Sequence, residues 1–175
     1  MRPPIPSRKE GFPRPLPNRL SMSDLLVPLY RLPQAPPLPE GYSLRRAYPF
    51  ELSRVRRFAT THFGESWADE AEVGFARQPI CVWIAIHEKK IVGFSVADST
   101  ARGYFGPTGV DEAFRGKGLG VALLIAALAG LREMGYAYAV IGAAGPVEFY
   151  VKTVGATIIP DSTPGIYADM LDKEG

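Results

Sequence analysis

The run Val110-Asp111-Glu112-Ala113-Phe114-Arg115-Gly116-Lys117-Gly118-Leu119-Gly120, continued by VALLIAALAGLREMG, constrains this chain more than any other segment. An apolar strand end leads into a basic, glycine-rich turn, and the turn leads into a helix. The first turn of a helix carries amide N–H groups without intrahelical partners. Glycines at 116, 118 and 120 leave that region uncovered by side chains. The positive end of the helix dipole and the cations Arg115 and Lys117 complete an anion site. A phosphate or pyrophosphate fits it, which points to a nucleotide-like cofactor. A plain turn needs one glycine, commonly helped by Asn, Asp or Pro. Three alternating glycines carry an entropic cost that a flexible link does not explain.

Two familiar phosphate motifs fail on spacing. A P-loop places a glycine five residues before Gly-Lys-Ser/Thr; here Asp111 stands at the first glycine position and Gly118 where the hydroxyl belongs. The dinucleotide fingerprint needs a third glycine or alanine three residues after the second. Counted from Gly116 and Gly118, that residue is Val121.

Arg115-x-x-Gly118-x-Gly120 resembles the acyl-CoA signature of the GNAT-type (GCN5-related) N-acetyltransferases, Arg/Gln-x-x-Gly-x-Gly/Ala. Its surroundings agree: Val110 ends a strand, Phe114 precedes the arginine, and Leu119 to Leu131 is rich in Leu and Ala. Downstream, Glu148-Phe149-Tyr150-Val151-Lys152-Thr153-Val154-Gly155-Ala156 is similar to the second family motif, Phe-Tyr-x-Lys-x-Gly-Phe. The resemblance runs from about Tyr42 to the C-terminus. It implies an α/β (α+β) architecture, the GNAT acyl-CoA N-acyltransferase fold, with a mixed central sheet of about seven strands and helices on both faces.

The resemblance also implies roles. Acetyl-CoA is the expected co-substrate. Backbone groups of Gly109 and Val110 would pair with the pantetheine arm. The pyrophosphate would lie on amides of Arg115, Gly116, Lys117, Gly118, Leu119 and Gly120. Tyr150 would protonate the departing thiolate as general acid. Gly155 comes one residue late for the motif, however. Aligned on that glycine, Val151 takes the tyrosine's place and Tyr150 becomes packing. An asparagine common before this helix in the family is missing, since the only asparagine is Asn18. For a general base the chain offers Asp98, Glu148 and His62, with a solvated base as the alternative. The implied activity is acetyl transfer from acetyl-CoA to a primary amine of a small molecule or peptide terminus, by direct attack on the thioester. The alternative is a non-catalytic acyl-CoA-binding or sensing domain. The acceptor should contact the helices from His62 to Arg77 and the C-terminal strands, where Trp67, Asp69, Glu70, Glu72 and Tyr167 lie.

Composition narrows the partners. The net charge of +2 hides an asymmetry: residues 1–21 hold Arg2, Arg8, Lys9, Arg14 and Arg19 against Glu10, so the remainder is −2. The folded part is therefore not built to bind nucleic acid. The longest apolar run, LGVALLIAALAGL, is closed by Arg132 and is too short to span a bilayer. The proline-broken N-terminus lacks the continuous apolar segment of a signal peptide. His62 and His87 have no second ligand at metal spacing, so no metal is expected. A lone Cys81 in an apolar strand fits a reducing compartment, and the expected location is the cytoplasm. A homodimer is compatible with the sequence.

Residues 1–39 hold 11 of the 17 prolines and read as an N-terminal extension, with 1–21 disordered. Residues 40–175 read as the acetyltransferase domain. Within the extension, SDLLVPLYRLP reads as a short edge segment. The domain then predicts a strand at 42–47, helices from Leu52 and over 69–77, and a hairpin around Glu88-Lys89-Lys90. A third meander strand, 102–110, is interrupted by Gly106-Pro107, which implies a bulge. A helix over 118–134, a strand at 136–142, a helix to about Val154, and strands at 156–159 and 166–171 complete the order.

Overall fold

A computed structural model describes residues 23–171. The expected disorder of residues 1–21 lies outside the described residues. Seven strands form one mixed sheet: β1 (Leu25–Pro28), β2 (Tyr42–Arg46), β3 (Val82–His87), β4 (Lys90–Ala97), β5 (Tyr104–Val110), β6 (Tyr138–Ile141) and β7 (Thr157–Ile158), in the order β2-β3-β4-β5-β6-β1-β7. Four helices accompany it: α1 (Leu52–Phe63), α2 (Glu65–Phe75), α3 (Leu119–Glu133) and α4 (Val147–Val154).

The side-chain alternation of a strand sorts the core into two layers. Along β3, Val82 and Ile84 pack with Val55, Phe58 and Ala59 of α1. Trp83 and Ala85 point the other way, into a layer with Leu123, Leu124 and Leu128 of α3 and Tyr150 of α4. The helix α3 is buried around most of its surface, as its uninterrupted apolar run demands. Gly130 in that helix leaves room for the Trp83 ring, which a Cβ would meet at 2.2 Å. The helix α1 instead shows a single apolar stripe, and its entry is fixed by Glu51, whose carboxylate accepts the Tyr48 N–H at 2.8 Å.

Two features of the sheet position the site. Between Ser95↔Thr108 and Ala97↔Phe105 the β5 strand uses one residue more than β4, so a bulge falls at Gly106-Pro107, as the proline implied. The parallel pairing of β5 with β6 is then confined to Tyr104↔Val140 and Phe105↔Ile141. Beyond Phe105 the two strands part, and the β6-facing edge of β5 from Gly106 to Val110 lacks a strand partner.

Two expectations are corrected. The segment read as an edge is interior: β1 lies between β6 and β7, antiparallel to both, with Leu25 opposite Ile141 on one side and Ile158 on the other. Leu25, Val27 and Leu29 are fully buried, so an apolar alternation inside a proline-rich stretch suffices to place it in the sheet. The sheet thus reaches N-terminal of residue 40. The strand expected at 166–171 does not form; Gly165–Tyr167 is a short 3-10 helix and Met170 and Leu171 are exposed. The place beside β6 is already taken by β1.

Candidate active site

The parting of β5 and β6 opens a cleft of about 900 Å³ that runs from the N-terminus of α3 to the flank of α2. At the α3 end the sequence-predicted residues come together. Gly109, Val110, Arg115, Gly116, Gly118, Leu119 and Gly120 all line it; Lys117 does not and is exposed. Gly118 is the N-cap of α3 and adopts a left-handed conformation, φ 79°, ψ −2°, as does Gly116 at φ 77°. These two positions explain why the turn needs glycine. No side chain caps α3 and its first turn holds no acid, so its leading N–H groups are left for a ligand. A Cβ added at Gly120 would meet nothing within 4 Å.

Arg115 bends back over the turn: its Nε donates to the Val110 carbonyl at 3.1 Å and Nη1 reaches Glu112 at 3.3 Å. That contact occupies one of the backbone acceptors expected to meet an extended ligand arm. The free edge of β5, the uncapped α3 turn and the volume of the cleft together fit a long, phosphate-bearing thioester such as acetyl-CoA.

Tyr150 sits in the wall of the cleft, almost fully buried, with its ring edge-on to Phe105 at 6.3 Å. Val151 points to solvent and is 44% exposed. Tyr150, and not Val151, lines the cleft. Gly155 caps α4 in a left-handed conformation, φ 66°, one residue later than the motif has it. Burial pushes the Tyr150 hydroxyl up from its ordinary pKa, so it stays protonated at neutral pH.

None of the three sequence candidates for a base lines the cleft. Asp98 is buried and committed: it accepts the Gly103 N–H at 2.7 Å and the Tyr136 hydroxyl at 2.9 Å and pairs with Arg102. Burial alone would raise its pKa, but those donors outweigh it and the net shift is downward. Glu148 is exposed beside Lys152 at 3.6 Å. His62 lies on an exposed face of α1, in a separate groove with Arg54, Arg57, Lys89 and Lys90.

Sequence reasoning missed Asp24. It accepts the Ala143 N–H at 2.8 Å and the Tyr104 hydroxyl at 3.4 Å, while its carbonyl accepts the Ile159 N–H at 2.9 Å. Asp24 thereby ties the strand-leading segment to the Gly142–Ala144 wall of the cleft. An acid directly before the apolar LLVP run is the signal that could have marked it. Tyr167 lies against Gly142, where a Cβ would meet its hydroxyl at 2.2 Å. Burial, with Asp24, Glu70 and Tyr104 adding, pushes its pKa up to about 12.

Comparison with known proteins bears on the family and the fold. Residues 41–155 match the model of the acetyltransferase (GNAT) family. Among solved structures the chain is similar to a GCN5-related N-acetyltransferase from Sphaerobacter thermophilus, with 20% identity and a TM-score of 0.64 over 79% of this chain and 48% of that one. It is also similar to the GCN5-related glucosamine N-acetyltransferase region of a fungal multi-domain GH3 β-N-acetylglucosaminidase, with 15% identity and a TM-score of 0.62 over 79% of this chain and 20% of that one. An acetyltransferase of the GNAT family from Colwellia psychrerythraea aligns at 14% identity and a TM-score of 0.57, over 79% and 53% of the two chains. The chain thus spans about half the length of these proteins or less, and the likeness is one of fold. No curated protein matches it. Among the described residues no helix is long and apolar enough to cross a membrane.

Proposed function

This chain belongs to the GNAT family of acetyltransferases, and from that premise we propose that it moves an acetyl group from acetyl-CoA to a primary amine of a small molecule or peptide terminus, in the cytoplasm. The observation that carries this reading is the uncapped first turn of α3, which opens onto the cleft left by the parting of β5 and β6. Acetyl-CoA, when bound, supplies an activated acyl carbon and a thiolate leaving group.

The residues divide the work. Amides from Arg115 to Gly120 hold the pyrophosphate, with the helix dipole behind them. Arg115 and Lys117 add charge, though exposed charges of this kind are worth little individually. The free edge of β5 at Gly109 and Val110 orients the pantetheine arm, and a backbone N–H there stabilises the developing oxyanion. One preorganised donor of this sort contributes about 3 kcal/mol. Tyr150, protonated at neutral pH, hands its proton to the departing sulfur.

Calorimetric titration with acetyl-CoA, followed by a thiol-release assay over a panel of primary amines, tests the reading. Binding together with release of free CoA on an amine is the expected result. Binding without turnover on any acceptor leaves the sensing alternative, and a chain that binds ATP or NAD but not acetyl-CoA overturns both.

A further inference from the structure

The cleft is electrically lopsided. One end carries Arg115 and the free amides of α3; at the other, Glu70 of α2 is the only carboxylate among the described residues that line it. Glu70 is half-buried and accepts a hydrogen bond from the Thr100 hydroxyl. Nearby cations are committed elsewhere: Arg56 to Asp69 and Glu72 on the same helix, Arg77 and Arg102 to Asp98. Tyr167 is the titratable group whose pKa senses Glu70 across the cleft. Burial pushes the Glu70 carboxyl up, with the hydroxyls of Thr100 and Ser99 pulling the other way. The walls around it are apolar rings: Phe63 and Trp67 stack at 4.9 Å, and Pro107 and Tyr167 complete the enclosure.

A carboxylate that is partly desolvated and held only by neutral hydroxyls is costly to keep charged. A cation entering the cleft completes it, and rings on either side favour a cation that brings an apolar body. We propose that Glu70 binds the acceptor's ammonium group and takes its proton, and that the acceptor is a primary amine on an aromatic or extended apolar body. This rests on reading the cleft as an acetyl-CoA site. In the step, an N–H bond of the ammonium breaks and its proton joins a Glu70 oxygen, leaving a neutral amine. The amine lone pair forms the N–C bond as the C–S bond breaks; the second amine proton goes to solvent and the sulfur receives the proton from Tyr150. Glu70 is thus a base that none of Asp98, Glu148 and His62 is placed to be. A purely structural Glu70, tethering α2 to the Thr100 turn, would tolerate glutamine.

The test uses the full chain saturated with CoA, titrated with 2-phenylethylamine as probe and 2-phenylethanol as its uncharged counterpart. Wild type should bind the amine at least tenfold more tightly than the alcohol. E70Q should lose that preference while binding CoA within twofold of wild type. With acetyl-CoA, E70Q should lower kcat/KM for the amine by about 100-fold or more, and E70D should restore part of it. Equal amine binding by wild type and E70Q overturns the proposal, and so does a wild type that binds CoA but shows no preference for amine over alcohol. If E70Q does not fold, the amine-against-alcohol comparison on wild type alone decides. A wild type that fails to bind CoA overturns the underlying reading instead.

Discussion

The two ends of the cleft are built from different parts of the polypeptide. At the α3 end the lining comes from one local segment, Gly109 to Gly120, and no side chain caps the backbone amides at the start of α3. At the α2 end the lining includes the side chains of Glu70, Thr100 and Tyr167, which come from a helix, a bend and a short 3-10 helix far apart in the chain. A backbone site must be written locally, because glycines at fixed spacing are what expose consecutive amides. A side-chain site needs only that distant residues converge, and nothing in the local spacing announces it. The first end suits a ligand shared by a whole family; the second is free to vary with the acceptor.

The sharpest way to break this contrast is to put a side chain into the backbone end. Gly120 has an ordinary helical conformation and open space at its Cβ position, so Gly120→Glu should fold normally yet weaken acetyl-CoA binding by more than 100-fold, read by calorimetry. Gly118 is less suitable because its left-handed φ strains any replacement. Tyr150→Phe tests the junction between the ends. Turnover should fall roughly 10- to 100-fold while the Kd for acetyl-CoA stays within twofold; unchanged turnover makes Tyr150 a packing residue.

Asp98 supports the side-chain end, because it anchors the turn whose Thr100 holds Glu70 and whose Ser99 donates to the Gly106 carbonyl at 3.1 Å. Asp98→Asn should cost about 2 kcal/mol of stability in urea unfolding and raise the acceptor KM more than the acetyl-CoA Kd. The depressed pKa of Asp98 means that its contribution is fully present above pH about 4 and is lost as pH falls through its folded value. The variant should therefore show a flatter acid limb of stability than wild type. The smallest effect belongs to Lys117→Ala. Lys117 is exposed and outside the cleft, so acetyl-CoA affinity should change by less than about threefold; a larger loss would mean that side chains, as well as amides, carry the phosphate end.

Sequence periodicity reached most of the fold because most elements are decided locally. The hairpin turns at Glu88 and Lys89, both with positive φ, between strands that alternate as their sequences require. The α3 helix announces itself through its apolar run, and the β5 bulge through Gly106-Pro107. The misreadings lie where partners are distant. The four residues of β1 resemble any short apolar stretch until β6 and β7 flank them, and the Ile166–Leu171 segment has strand-like composition but pairs with no strand. The register of Tyr150 was ambiguous for a related reason: spacing to Lys152 and spacing to Gly155 give different answers, and only burial of the ring against Phe105 separates them.

The position of β1 has a consequence for how the molecule comes into being. Among the described residues Leu25–Pro28 precedes every other strand of the sheet, but its two sheet neighbours are the last two of that sheet in sequence. Its apolar residues must wait, unpaired, while the four strands β2 to β5 are translated, and the cleft wall at Ala143 stays unsupported until Asp24 docks. Pairings between such distant segments are slow to close. The sheet is therefore most open to proteolysis and misassembly just before β6 and β7 emerge, and a circular permutant opening at the Glu88-Lys89 turn would make β1 the next strand of the sheet after β7.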